Sequence, residues 1–306
     1  MLTRRVTLLG AAALGACTID AMPDLAARTL QALETDGMRL GVAALDTGSG
    51  HWITHRADER FAMCSTFKLL LVADVLHGVA NGGPQLSDQV RFNESDLLDY
   101  APVTRAHVAD GPLGRMGVMS VEQLCEAAIT LSDNTAANLL LDIVGGPQGL
   151  TGFLREQSDG VTRLDRTEPT LNENAPGDQR DTTTPEAMAR TMQRLLAFDT
   201  LTPAIPGHPD VLGDALTPPL REKLIGWLVA CETGKERLRA GFPADWRVGD
   251  KTGTGANGAH NDVAIAWPPG RKPILIASYI SGDAGDSDTR NAAHASVARV
   301  IARAFS

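Results

Sequence analysis

Four short runs of this 306-residue chain carry side chains that could act together. Ser65-Thr66-Phe67-Lys68 sets a hydroxyl and an amine three residues apart, and Ser132-Asp133-Asn134 follows. Arg166-Thr167-Glu168-Pro169-Thr170-Leu171-Asn172 places a carboxylate and an amide four apart, and Lys251-Thr252-Gly253 comes last. A serine hydroxyl is a weak nucleophile and needs a nearby base. On a helix, positions i and i+3 share a face, so the spacing predicts that Lys68 reaches back to the Ser65 oxygen. A helix start at Ser65 adds a positive backbone field. With the amides of Ser65 and Thr254, that field would stabilise a carbonyl oxygen turning negative. Ser132 is then placed to pass a proton to a leaving nitrogen, and Lys251 adds positive charge. The chemistry these types can perform is acyl transfer through serine.

The runs differ in weight. About one S-x-x-K is expected by chance in a chain of this length, whereas S-D-N and K-T-G each arise roughly 0.1 times or less. All three in order, with the Glu168 loop between them, are a specific signal. Taken singly, S-x-x-K reads as a capped helix start and Glu168 as a solvated loop carboxylate.

The elements that must hold these residues follow from periodicity. Leu25 to Glu34 has helical spacing behind Pro23. Met38 to Asp46 and His51 to Arg56, joined by Thr47-Gly48-Ser49-Gly50, read as a strand hairpin. Ser65 to Val79 is a buried helix. Further helices are predicted over Val121 to Leu131 with Ser120 as N-cap, Thr135 to Val144, Pro147 to Gln157, Pro185 to Ala197 and Leu220 to Ala230. Strands are predicted over Trp246 to Lys251, Val263 to Trp267 and Pro273 to Ile280, and a last helix over Ala292 to Phe305. Strands at both ends with helices between them predict an α+β fold, an α/β sandwich. Its antiparallel sheet has about five strands built from both termini and flanked by helices, with an all-helical domain inserted. The expected boundaries are 23–64 with 220–306 for the α/β domain and 65–219 for the helical one. The polar stretch 163–181 lacks periodicity and is long for a bare connection, as functional loops are. Phe198 to Pro219 reads as another loop.

In this order, from about Phe61 to Gly255, the motifs resemble those of class A serine β-lactamases. The resemblance implies hydrolysis of the β-lactam amide through an acyl-enzyme, conferring antibiotic resistance, with neither a metal nor an organic cofactor. It implies Ser65 as the acylated nucleophile, Lys68 as its proton partner, and Ser132 as proton shuttle to the β-lactam nitrogen. Asn134 would hydrogen-bond the substrate side-chain amide, and Glu168 with Asn172 would hold and activate the hydrolytic water. Lys251, Thr252 and Thr254 would contact the substrate carboxylate, with Arg237 adding charge. Tyr100 matches the aromatic wall at the entrance. Arg166 and Asp181 match the ion pair closing 163–181, the family's Ω-loop. Whether Lys68 or Glu168 is the acylation base stays open here. Cys64 before the nucleophile, Thr254 and Arg237 hint at breadth over penicillins and cephalosporins, extending to carbapenems.

Departures from that pattern are also present. Thr167 stands where a bulky aromatic is frequent. Cys64 lacks the partner it has in some members, because Gly255 occupies that position, and Val72 replaces a partner for Cys125. Two other readings share some motifs: a D,D-peptidase or penicillin-binding protein, which would not need the Glu168 loop, and a β-lactam sensor that stays acylated.

Composition narrows the field further. With 28 basic and 37 acidic side chains the formal charge is −9, and aromatics are 4%. Neither a phosphate-binding face nor a base-stacking surface is expected, so nucleic acid is excluded as a partner, and a monomer is expected. The start, Met1 to Arg5 and then an apolar run to Cys17, reads as an export signal over residues 1–22. Its Arg4-Arg5 resembles a weak twin-arginine signal, and Leu14-Gly15-Ala16-Cys17 resembles a lipobox that would lipidate Cys17. The location expected is the periplasm, soluble or lipid-anchored. That leaves Cys64, Cys125 and Cys231, an odd number, so at least one is free or pairs between chains. Gly253 to Gly258 fits G-x-G-x-x-G, but a strand follows, so a hairpin turn is expected. His51 and His55 sit on a predicted strand without H-E-x-x-H, which argues against zinc. No G-x-S-x-G occurs, against an α/β-hydrolase.

Overall fold

The computed structural model describes residues 21–35, 37–112, 114–196, 215–283 and 285–305. Residues 1–20, most of the expected export signal of 1–22 with Cys17, and 197–214, most of the loop predicted over Phe198 to Pro219, lie outside the described residues. The end of that loop instead begins a helix at Pro218, where a proline at the first helical positions costs no intrahelical bond.

Ten strands and eight α-helices follow one another among the described residues. The first stretch holds α1 (Ala21–Ala32), β1 (Met38–Asp46), β2 (Trp52–His55), β3 (Phe61–Ala62) and α2 (Phe67–Ala80). Next come β4 (Gln89–Asn93), β5 (Val108–Gly111), β6 (Gly114–Ser120), α3 (Val121–Thr130), α4 (Asn134–Ile143) and α5 (Gly146–Glu156). The chain continues through β7 (Thr182–Thr183), α6 (Pro185–Leu195) and α7 (Pro218–Val229). It ends with β8 (Arg247–Thr254), β9 (His260–Trp267), β10 (Ile274–Gly282) and α8 (Ser287–Ala304).

The main sheet has the order β2-β1-β10-β9-β8, antiparallel throughout. It is the five-strand sheet from both termini that the sequence predicts. Its central strands are buried on both faces, so they read as continuous apolar runs. Along β1, Leu40, Val42 and Ala44 join one core cluster with Leu30 of α1 and Val297 and Ile301 of α8. The intervening Ala43 and Leu45 join the other, with Met188 and Met192 of α6 and Leu69, Val72 and Leu76 of α2. The two-residue period thus builds a helix–sheet–helix sandwich, and the second cluster runs on into α3, α4 and α5.

Local signals fixed several boundaries. Ser120 caps α3 in a capping box with Gln123, and Thr184 caps α6. Gly145 takes the left-handed φ of 84° that lets α4 hand over to α5. Helix α1 starts earlier than Pro23 suggests, because a proline in the first turn forfeits no intrahelical bond. The inserted stretch is mainly helical but also carries a small three-stranded sheet, β4-β6-β5, which the periodicity did not announce. Phe92 packs over Gly117 in that sheet, where a Cβ would come within 2.2 Å of the ring.

Candidate active site

Strand β8 runs beside the start of α2, and that closeness creates the site. A Cβ at Gly253 would lie 2.7 Å from the Met63 carbonyl and 3.1 Å from the amide nitrogens of Ser65 and Thr66. Only glycine allows the approach. Asn261 on β9 ties the same junction from below, its Nδ2 donating to the carbonyls of Ala62 and Met63. A 3-10 turn, Cys64–Thr66, leads into α2, and Cys64 holds a left-handed φ of 45°. Thr66 is pinned by the Met63 carbonyl and the Tyr279 hydroxyl. The nucleophile candidate therefore sits at a helix start braced on three sides.

The side chains of Lys68 and Glu168 are both fully buried and form an ion pair of 3.1 Å. Lys68 Nζ donates to the Ser132 carbonyl at 2.8 Å and to Asn134 Oδ1 at 2.6 Å. An ammonium has three protons, and Glu168 takes the third. The direct Ser65–Lys68 hydrogen bond expected from i,i+3 spacing is therefore not what forms. Ser65 Oγ donates to Glu168 Oε1 at 3.2 Å, so both side chains meet on one carboxylate oxygen. Burial pulls the Lys68 amine below its ordinary range, against the pull of Glu168.

Ser132 takes a left-handed φ of 56°, which turns its hydroxyl inward. Its Oγ accepts from Lys251 Nζ at 2.9 Å and lies 3.4 Å from Lys68 Nζ, as a longer contact sharing the proton given to the Ser132 carbonyl. Lys251 is fully buried, and burial brings its amine down to about 7. Asp133, between the motif's outer residues, accepts from Val103 N, Thr104 N and Ala136 N, and so anchors the segment following Tyr100 and caps α4. Asn134 N donates to the Tyr100 carbonyl at 3.0 Å. Tyr100 itself is exposed and borders a cavity of about 370 Å³ with Pro102 and Arg105.

Glu168 is delivered by the polar loop. Asn172 Nδ2 donates to Glu168 Oε2 at 2.5 Å, and a 3-10 turn, Thr170–Asn172, sets that geometry. Asn172 Oδ1 is buried with no partner in the protein. Arg166 Nε lies 2.6 Å from Asp181 Oδ2, while Asp181 Oδ1 accepts the amides of Asp165 and Arg166. The predicted ion pair is thus the base of the loop.

Arg237 is 9% exposed and is spent on the strands. It donates to the carbonyls of Gly253 and Asn261 at 3.0 and 2.6 Å and to Thr254 Oγ1 at 2.7 Å. It supplies charge behind Thr254, at the edge of a cavity of about 350 Å³ also bordered by Thr233, Lys235 and His260. Cys64, Cys125 and Cys231 are all free and buried. Burial pushes the Cys64 thiol up to about 12. A Cβ at Gly255 would sit 2.8 Å from its sulfur, so the glycine also makes room for it. The turn after β8 is the expected hairpin connection, with Asn257 and Gly258 at left-handed φ of 51° and 72°.

Several residues of the site went unnoticed in the sequence. Asn138 and Asn261 hold backbone, and Thr233 meets the Thr252 hydroxyl at 2.6 Å. A signal existed for Asn138: it lies four residues after Asn134, on the same face of α4.

The comparisons with known proteins agree with this geometry. The Beta-lactamase enzyme family matches residues 25–305. Beta-lactamase AST-1 of Nocardia asteroides is 46% identical over 273 residues, covering 89% of this chain and 80% of that protein. Beta-lactamase CTX-M-8 of Citrobacter amalonaticus is 41% identical over 294 residues, covering 96% and 92%. The solved ancestral (GNCA) class A beta-lactamase superposes with a TM-score of 0.83 at 54% identity, covering 92% of this chain and 100% of that one. The chain belongs to the class A beta-lactamases, serine hydrolases that open the cyclic amide of β-lactams.

Proposed function

We propose that Ser65 is the nucleophile and that Glu168 makes the reaction a turnover. The observation that carries this reading is the shared carboxylate oxygen. Glu168 Oε1 receives Ser65 Oγ at 3.2 Å and Lys68 Nζ at 3.1 Å, with Asn172 on the other oxygen. Ser65 Oγ attacks the lactam carbonyl and its proton leaves toward the Lys68–Glu168 pair. The oxygen turning negative is held by the amides of Ser65 and Thr254. Ser132 gives its proton to the ring nitrogen as the C–N bond breaks, and is reprotonated from the Lys251 or Lys68 ammonium. Glu168 then takes a proton from water held with Asn172, the hydroxide attacks the ester, and Ser65 is released with its proton restored.

Lys251, Thr252 and Thr254 bind the substrate carboxylate in this reading, with Arg237 as a supporting charge. Asn134 holds the side-chain amide and Tyr100 walls the entrance. Arg166 and Asp181 keep the loop shut. We assign penicillins and cephalosporins as substrates, with carbapenems the outer limit, and a kinetic panel over the three classes tests that range. The division into 23–64 with 220–306 and 65–219 is kept as a proposal, as is a monomeric state. Export to the periplasm is supported by the leader. The mass of the mature N-terminus decides between a lipidated Cys17 and an unmodified terminus beyond it.

The test of the central step is Glu168→Ala treated with a penicillin and followed by intact mass. A lasting adduct of one substrate mass is expected. Rapid turnover without an adduct would overturn the role given to Glu168.

A further inference from the structure

Beneath the K-T-G strand, Thr252 is joined in a line by two side chains, Thr233 and Cys231, that the reaction described above does not use. Thr252 Oγ1 lies 2.6 Å from Thr233 Oγ1, and Thr233 Oγ1 lies 3.3 Å from Cys231 Sγ. Cys231 is 2% exposed and Thr252 4%, so water competes little for either. Each of these groups carries one proton and at least one lone pair, so each can donate once and accept.

A carboxylate is an acceptor only. Once one lies against Thr252, the Thr252 proton must point at it, since otherwise two acceptors would face each other. Thr252 Oγ1 then faces Thr233 with its lone pair, and Thr233 must donate. Thr233 in turn faces Cys231 with its lone pair, and the thiol must donate. We propose that Cys231 and Thr233 are positioning residues for substrate binding: a one-way hydrogen-bond chain, Cys231 to Thr233 to Thr252, that commits the Thr252 hydroxyl as a donor to the substrate carboxylate. Chains of this kind polarise one another, and the last donor is strengthened.

Two further observations support the direction. Burial and the nearby Asp250 raise the thiol above its ordinary range, so it keeps its proton at neutral pH. The Lys251 ammonium donates to the Thr252 carbonyl at 2.8 Å rather than to its hydroxyl, and the hydroxyl's protein contact among the described residues is Thr233.

The inference rests on the placement of the substrate carboxylate at Thr252, and the experiment separates the two. The readout is the ratio of kcat/KM for a penicillin to kcat/KM for its carboxylate methyl ester. Thr233→Val is expected to lower the acid about five- to tenfold, the loss of one hydrogen bond supporting a charged contact, and to leave the ester within about twofold. Cys231→Ala should lower the acid about two- to threefold, because a thiol is the weaker donor. Thr233→Ser and Cys231→Ser should restore the wild-type ratio. Damage to packing would lower acid and ester together and leave the ratio unmoved. If Thr252→Val lowers the ratio while Thr233→Val does not, the chain is wrong and the carboxylate placement stands. If Thr252→Val also leaves the ratio unchanged, the placement itself fails, and the chain with it.

Discussion

Asn138 and Glu168 exchange two hydrogen bonds: Asn138 Nδ2 donates to the Glu168 carbonyl at 2.9 Å, and Glu168 N donates to Asn138 Oδ1 at 3.0 Å. The helix α4 thereby grips the loop by the backbone of its carboxylate residue. Asn138→Ala removes both bonds and leaves an amide and a carbonyl unpaired. We expect a stability loss of about 1–3 kcal/mol in denaturant titration. Deacylation should slow more than acylation, because only the former needs water held by Glu168. Pre-steady-state bursts that are no larger than in the wild type would contradict this.

Lys251 gives a pH signature. Its buried amine sits at about 7, where the unfolded chain holds the proton to about 10.4. The folded value is depressed, so conformational stability rises with pH between those two values. Activity moves the other way. As pH climbs above 7, the free enzyme loses the positive charge offered to the substrate carboxylate, and kcat/KM should fall. Lys251→Arg keeps its charge at every accessible pH. Its descending limb should shift upward by at least a pH unit, even if the absolute rate is lower.

Asp181 closes the loop from a left-handed φ of 57°, with its side chain 1% exposed. Asp181→Asn removes the buried negative partner of Arg166 and should cost about 3–5 kcal/mol at most, less whatever Glu173 and Asp178 take over. Calorimetry reads that loss. A variant melting within a degree of the wild type would show that the loop is held mainly by the Asn138 contacts.

His294 predicts acid sensitivity. It is fully buried, its Nε2 donates to the His260 carbonyl at 3.0 Å, and its Nδ1 accepts from Ser278 at 2.9 Å. Burial holds it well below its ordinary value, and His260 beside it is brought down to about 3. The folded state refuses protons that the unfolded chain accepts below pH ~6.5, so stability falls on acidification by about 1.4 kcal/mol per pH unit for each such group. Asp262, raised by burial, opposes the trend in part. His294→Gln should be less stable than wild type at pH 7, with the gap narrowing by about 2 kcal/mol at pH 5. A gap that is constant with pH would mean that His294 is not the group responsible.

Much of this was legible because it depends on local rules. The loose alternation of β1, the apolar runs of β9 and β10 and the capping residue Ser120 are local, and so is the S-x-x-K spacing. What stayed hidden is relational. Strand β4 alternates over only five residues, with Val90 and Phe92 turned inward, and β6 is interrupted by Gly114, Arg115 and Gly117, so neither pattern is long or clean enough to announce a sheet. Strand β3 is two residues long and exists only because β7 pairs with it. The i,i+3 rule brought Lys68 to the right place but gave it the wrong partner, since it knows nothing of a carboxylate 100 residues further on. Asn138 and Thr233 act by gripping neighbours that only the folded chain brings near.

Strand β1 pairs with β10 along its whole length, Met38 opposite Gly282 and Asp46 opposite Ile274. The third residue to emerge from β1 must therefore wait for one 240 positions later, Leu40 for Ile280. Synthesis delivers the serine early and the lysine strand that faces it late. A nascent chain stalled before β8 holds a nucleophile with no wall behind it, so competence waits for the strands that follow residue 246. Topologies with such remote pairings assemble slowly.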